Sequence, residues 1–160
     1  MKKQINIEAC EKNYLYFTSI EKVLSFYSLK NCYLTLRFED IDLNSYKSVS
    51  VFFKNIKTRE ILKCVFEIEE NNLVIDLRSL NNLCTNYEFS IVIILDDYKY
   101  STCVYPKLRL NNNKETSITS SLSDNSNIQW FLRVLENGKL RLSTIYLFSY
   151  LEEDNNKIIL

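Results

Sequence analysis

Apolar residues recur at every second position along most of this chain. Leu62, Cys64, Phe66 and Ile68 alternate with Lys63, Val65, Glu67 and Glu69; after Asn71-Asn72, the residues Leu73, Ile75 and Leu77 alternate with Val74, Asp76 and Arg78. A period of two belongs to a strand with one buried face, so these runs predict two strands joined by an Asn-rich turn. Tyr87, Phe89, Ile91, Ile93 and Leu95 place a large residue on one face of a longer strand. Its other face starts with Glu88 and Ser90 and ends with Val92 and Ile94, the pattern of a central strand covered on both sides at one end. Asp96-Asp97 reads as a turn into residues 98–105. Residues 128–135 and 140–147 flank Glu136-Asn137-Gly138-Lys139, where Asn-Gly is a strong hairpin signal. Residues 14–17, 32–38 and 49–53 are further strand candidates by their β-branched and aromatic content.

One stretch fits two periods. Ile20, Val23, Leu24 and Tyr27 fall at i, i+3, i+4 and i+7 behind Ser19, a competent helix cap. A short helix over 21–29 and a strand there both stay open. Residues 111–127 are polar apart from Ile118 and Leu122 and predict a long polar loop, and 152–160 reads as a tail. No internal repeat or second domain is visible, so 1–160 reads as a single domain. The expected fold is all-β, an antiparallel β-sandwich or barrel of about eight strands. A parallel α/β fold would need helical segments between the strands, and they are missing.

Composition narrows the function classes. The chain has 160 residues and 46% hydrophobic content, enough to bury a core without staples. Twenty basic residues balance twenty acidic ones, which argues against a nucleic-acid partner held by a broadly positive face. The longest aliphatic run is the five residues 91–95, far below the ~20 of a membrane helix, and no apolar run of signal-peptide length follows Lys2-Lys3. A cytoplasmic protein without membrane insertion is expected. Five cysteines at wide spacings and no histidine predict reduced thiols and no metal site. With one glycine, the Gly-rich phosphate loops of nucleotide enzymes are excluded, and no cofactor is expected. Eighteen asparagines beside single Ala, Gly and Pro suggest the codon usage of a low-GC bacterium, and Asn must then do the turn work of Gly.

Without histidine, Ser-His-Asp and Cys-His catalysis are ruled out. Carboxylates at Glu39-Asp40, Asp42, Asp96-Asp97 and Glu152-Glu153-Asp154 sit at expected strand ends and turns, so a carboxylate-dependent hydrolase ranks last. Eleven Tyr, nine Phe and one Trp are the more suggestive feature. Tyr98, Tyr100, Tyr105 and Trp130, with Arg133 alongside, are the candidate ligand-binding platform, because aromatic rings stack on sugars and anchor interfaces. For Trp130 the competing reading, an inward row with Leu132 and Val134, is favoured.

The order of elements also carries a resemblance. Ile5-Asn6-Ile7 leads into Asn13-Tyr14-Leu15-Tyr16-Phe17, followed by Tyr33-Leu34-Thr35-Leu36 and by a strand ending in a basic turn, Val51-Phe52-Phe53-Lys54-Asn55-Ile56-Lys57-Thr58-Arg59-Glu60. Next come Phe66 to Glu69, Val74-Ile75-Asp76-Leu77 and the closing Asn137-Gly138-Lys139-Leu140-Arg141-Leu142. This order resembles the immunoglobulin-like β-sandwich modules appended to bacterial glycosyltransferases that build wall teichoic acids and related surface polymers. Thr18-Ser19 stand where those modules usually have a glycine. The resemblance implies an immunoglobulin-like sandwich and a non-catalytic role in oligomerisation or glycan-acceptor contact. The expected function is therefore a non-enzymatic binding or assembly module, an accessory to a surface-polymer glycosyltransferase with a glycan or protein partner or a second copy of itself. The alternative is a protein–protein accessory or immunity-type partner of a neighbouring enzyme or toxin.

Overall fold

The computed structural model describes residues 17–80, 87–97, 100–109, 118–122 and 128–146. The fold is all-β. Among the described residues eleven strands form, more than the eight or so that the pattern predicts: β1 (Phe17–Lys30), β2 (Tyr33–Phe38), β3 (Ser48–Asn55), β4 (Ile61–Lys63), β5 (Val65–Glu69), β6 (Asn72–Asp76), β7 (Tyr87–Asp96), β8 (Ser101–Lys107), β9 (Ile118–Leu122), β10 (Ile128–Val134) and β11 (Leu140–Tyr146). Among the described residues the only helical pieces are single 3-10 turns at Leu43–Ser45 and Leu77–Leu80.

Hydrogen bonding runs β5-β6-β2-β1-β8-β7-β11-β10-β9, with β3 on the other side of β7 and β4 on β3. Two stretches of chain cross from one wall to the other. The first half of β1 pairs in parallel with β8 and its second half pairs antiparallel with β2. Opposite, β4 pairs with β3 and β5 with β6, with only Cys64 between them. These two corners wrap the walls into a nearly barrel-shaped sheet. The arm β11-β10-β9 branches from the start of β7, while β8 takes its end. Among the described residues, no helix is long and apolar enough to cross a membrane.

The helix considered over 21–29 is a strand. A register shift between Leu24 and Phe26 inserts one residue, so burial jumps from Leu24 to Tyr27 and Leu29. A β-bulge breaks the period of two at one point, and that break imitates helical spacing. Phe26, next to the bulge, is left half exposed. The predicted loop 111–127 also needs correction, because its residues Ile118–Leu122 form β9 and pair with β10. Residues 14–16 of the first strand candidate, and 152–160, lie outside the described residues.

The main core joins both walls. Phe89, Ile91, Ile93 and Leu95 of β7 meet Val51 and Phe53 of β3, Trp130 and Leu132 of β10, and Leu34, Leu36, Leu73 and Ile75 of the opposite wall. A second, small core lies on the outer side of β7, where Val92, Ile94 and Cys103 are covered by Phe52, Ile61 and Tyr105. The two-faced end predicted for β7 is therefore real. Cys32, Cys64 and Cys103 are buried thiols, and burial pushes the Cys64 thiol far up from its ordinary range.

Candidate functional site

The site begins with how β8 and β11 divide β7 between them. Beyond their pairing with β7 they meet each other at Lys107 and Lys139, and the Leu108 N–H donates to the Gly138 carbonyl at 2.8 Å. Gly138 is the single glycine of the chain, at φ +83° in the Asn-Gly turn. A Cβ there would lie 2.3 Å from the Leu108 carbonyl oxygen, so only glycine permits this approach. The junction leaves a cleft of about 590 Å³ on the outer side of the sheet, within the ~300–1,000 Å³ of small-molecule sites.

Alternation decides which side chains reach it. Lys54 of β3 faces Ser90 of β7, and the Phe89–Leu142 pair puts Ser90 beside Arg141 of β11, which faces Arg133 of β10. Lys54, Ser90 and Arg141 line the cleft, with Tyr105, Lys139, Glu21 and Ile20 on one side and Ile56 and Arg59 from the β3–β4 turn on the other. That turn is held by Asn55, whose Oδ1 accepts the N–H groups of Lys57 and Thr58 at 2.9 and 3.1 Å. Asn55 is itself buried, and its carbonyl accepts the Arg59 N–H at 2.9 Å. Arg59 sits in the left-handed region, at φ +63°.

Among the described residues, four cations line the cleft against one carboxylate. Glu21 is shared by Lys107 and Lys139, each at 3.3 Å, and the Lys139 contact, then that of Lys107, holds its carboxyl below the usual range. Arg133 is paired with Glu88. Among the described residues, the guanidinium groups of Arg59 and Arg141 have no ion pair.

The aromatic platform expected from sequence is only partly assembled. Trp130 is 1% exposed on the inner face, with ring centroids 6.3 Å from Phe53 and 6.4 Å from Phe89, so it is core. Arg133 and Tyr105 are on the outer face, Tyr105 in the cleft and Arg133 one strand beyond Arg141. Tyr100 is exposed in the β7–β8 turn, and Tyr98 lies outside the described residues. Sequence reasoning missed Lys54, Arg59, Lys139, Arg141 and Glu21 as a group. Its one available signal was the basic turn 54–60; the rest depends on strand register.

Of the candidate carboxylates, Glu152-Glu153-Asp154 lie outside the described residues, and Glu39, Asp42 and Asp96 have structural partners. Glu39 pairs with Arg109, which holds its carboxyl low; Asp42 caps the 3-10 turn through the Asn44 N–H; Asp96 accepts from Ser101 at 3.0 Å. Neither protein-family profiles nor curated proteins give a match to this chain, so its function rests on its own geometry.

Proposed function

We propose that this protein is a non-enzymatic binding module that takes a glycan-type ligand in the cleft between β3, β7, β8 and β11. The observation that carries this reading is the cleft itself, where the aromatic face of Tyr105 and the apolar Ile20 and Ile56 stand beside hydrogen-bonding Ser90 and cationic side chains. Sugar recognition uses that mixture of a ring surface with directed polar groups. The absence of histidine from the chain and the structural employment of Glu39, Asp42 and Asp96 favour binding over catalysis. The resemblance to glycosyltransferase-appended modules points the same way, to an intracellular accessory of surface-polymer synthesis. On that view the two walls correspond to the sheets of an immunoglobulin-like sandwich with added strands.

The test is titration of the purified chain with fractionated bacterial surface polysaccharide, followed by tryptophan-independent thermophoresis. Saturable binding that is lost in Tyr105→Ala is expected. Absence of binding to every fraction would sink the reading. A second reading, a protein–protein accessory, is favoured by β5, which is an edge strand among the described residues with Val65 57% exposed, a geometry that invites an added strand. Light scattering on the same sample would reveal it as a stable oligomer.

A further inference from the structure

Resting on that reading of the cleft, we infer that its ligand is anionic, a phosphate ester of a sugar or polyol bound between Arg59, Arg141 and Lys54 with Tyr105 against the attached carbon skeleton. Three independent features favour an anionic ligand. The first is the charge balance. A chain with no net charge places Arg59 and Arg141 at one cleft beside Lys54 and Lys139, and among the described residues its one lining carboxylate, Glu21, already serves Lys107 and Lys139.

The second is register. Arg141 directly faces Arg133, and like charges in opposed positions of an antiparallel pair repel. Glu88 relieves Arg133 alone, and even there the buried Nε finds no acceptor among the described residues. The pair is an arrangement that an anion over Arg141 would stabilise. The third is backbone. Arg59 holds a left-handed conformation that costs a non-glycine residue on the order of 1 kcal/mol, in a turn clamped by Asn55 so that this cation stays at the cleft.

Phosphate fits better than carboxylate. Arg59, Arg141 and Lys54 line the cleft from a turn and two strands. A tetrahedral group with three free oxygens offers an acceptor to each of them, whereas a carboxylate has two oxygens in one plane. Tyr105, Ile20 and Ile56 supply apolar surface beside that centre, which suits a phosphorylated sugar or polyol more than bare phosphate.

The experiment is calorimetric titration of the full chain with glucose 1-phosphate, with inorganic phosphate as competitor and maltotriose as the neutral control. Glucose 1-phosphate should bind, inorganic phosphate should displace it, and affinity should fall as salt rises. Arg141→Gln and Arg59→Gly should each weaken binding roughly 10-fold or more, as expected for loss of a charge-assisted hydrogen bond. Arg59→Gly removes the cation while easing the backbone, so its melting temperature separates lost binding from lost folding. Maltotriose binding that Tyr105→Ala abolishes and the arginine variants leave intact would overturn the anion while keeping the glycan-binding reading. No binding of either glucose 1-phosphate or maltotriose would overturn both.

Discussion

The outer surface of β7 has two ends built on one strand with opposite outcomes. At its C-terminal end Val92 and Ile94 are fully buried beneath Phe52, Ile61 and Tyr105; two to four residues earlier, Ser90 lines the open cleft and Glu88 is ion-paired with Arg133. The inner row Phe89, Ile91, Ile93 and Leu95 is buried throughout. The contrast shows that the strand's neighbours decide its outer chemistry. Where β8 stays in register with β7, Cys103 completes an apolar patch. Where β8 leaves and β11 takes over, Lys139 and Arg141 arrive in its place. Tyr105 belongs to both ends, covering the patch with one side and lining the cleft with the other.

The largest effect is expected from the residue that keeps the two ends apart. Gly138→Ala should drive a Cβ into the Leu108 carbonyl at a backbone angle that disfavours side chains, costing more than ~3 kcal/mol and lowering the melting temperature by roughly 6–12 °C. A melt within ~2 °C of wild type would mean that the strands can part without harm. Next, Ile94→Ala should cost about 2–4 kcal/mol in urea unfolding by opening a cavity in the closed end. Ser90→Ala, at the open end, should stay within about 0.5 kcal/mol. Equal losses would erase the distinction between the ends.

Smaller than the Ile94→Ala loss and opposite in sign, Arg59→Gly should raise stability by up to ~1 kcal/mol in the same urea assay, because glycine accepts the positive φ without strain. The smallest effect is a pH dependence. Glu21, Glu39 and Asp76 all have lower carboxyl pKa values in the folded chain, chiefly through Lys139, Arg109 and Arg78 respectively. The folded state therefore holds fewer protons. Their contribution is present above the ordinary carboxyl values of 4.5 for Glu and 3.8 for Asp, and is lost as pH falls through the folded values. These groups are exposed enough for solvent to weaken each pair, so thermal melts should be flat from pH 7 to 5 and fall below it, by slightly less in Glu21→Gln. A melt that rises on acidification would reverse the sign.

Much of the fold was legible because it depends on local alternation. The inward row of β7, its half-covered outer face and the Asn-Gly turn appear where the spacing of residues puts them, while the β7–β8 hairpin forms later than an Asp96-Asp97 turn would place it, with Asp96 still in β7 and paired to Ser101 at the start of β8. Beneath the β5–β6 turn, the paired positive φ values fall on Glu70 and Asn71, one residue earlier than Asn71-Asn72 suggests, since Asn71 is also drawn into bonds with Leu43 and Ile41. What stayed hidden was long-range. The β1 bulge erased its own period, β9 is too polar in pattern to stand out, and the Arg141–Arg133 and Lys54–Ser90 neighbours exist only once register is known. The site was thus less readable than the scaffold: its cations come from separate strands and carry no shared motif.

The double duty of β1 also sets an order of events during synthesis. Its second half can pair with β2 as soon as the intervening turn leaves the ribosome, but its first half must wait for residues 101–107, which arrive after most of the other strands. Parallel pairing across such a span gains nothing until the intervening chain has been gathered, so this corner should be among the last to form and should limit the folding rate. Until then the leading end of β1 presents an unpaired edge at Ile20, and the nascent protein is most prone to wrong pairing at the same strand that, once docked, places Glu21 in the lining of the cleft.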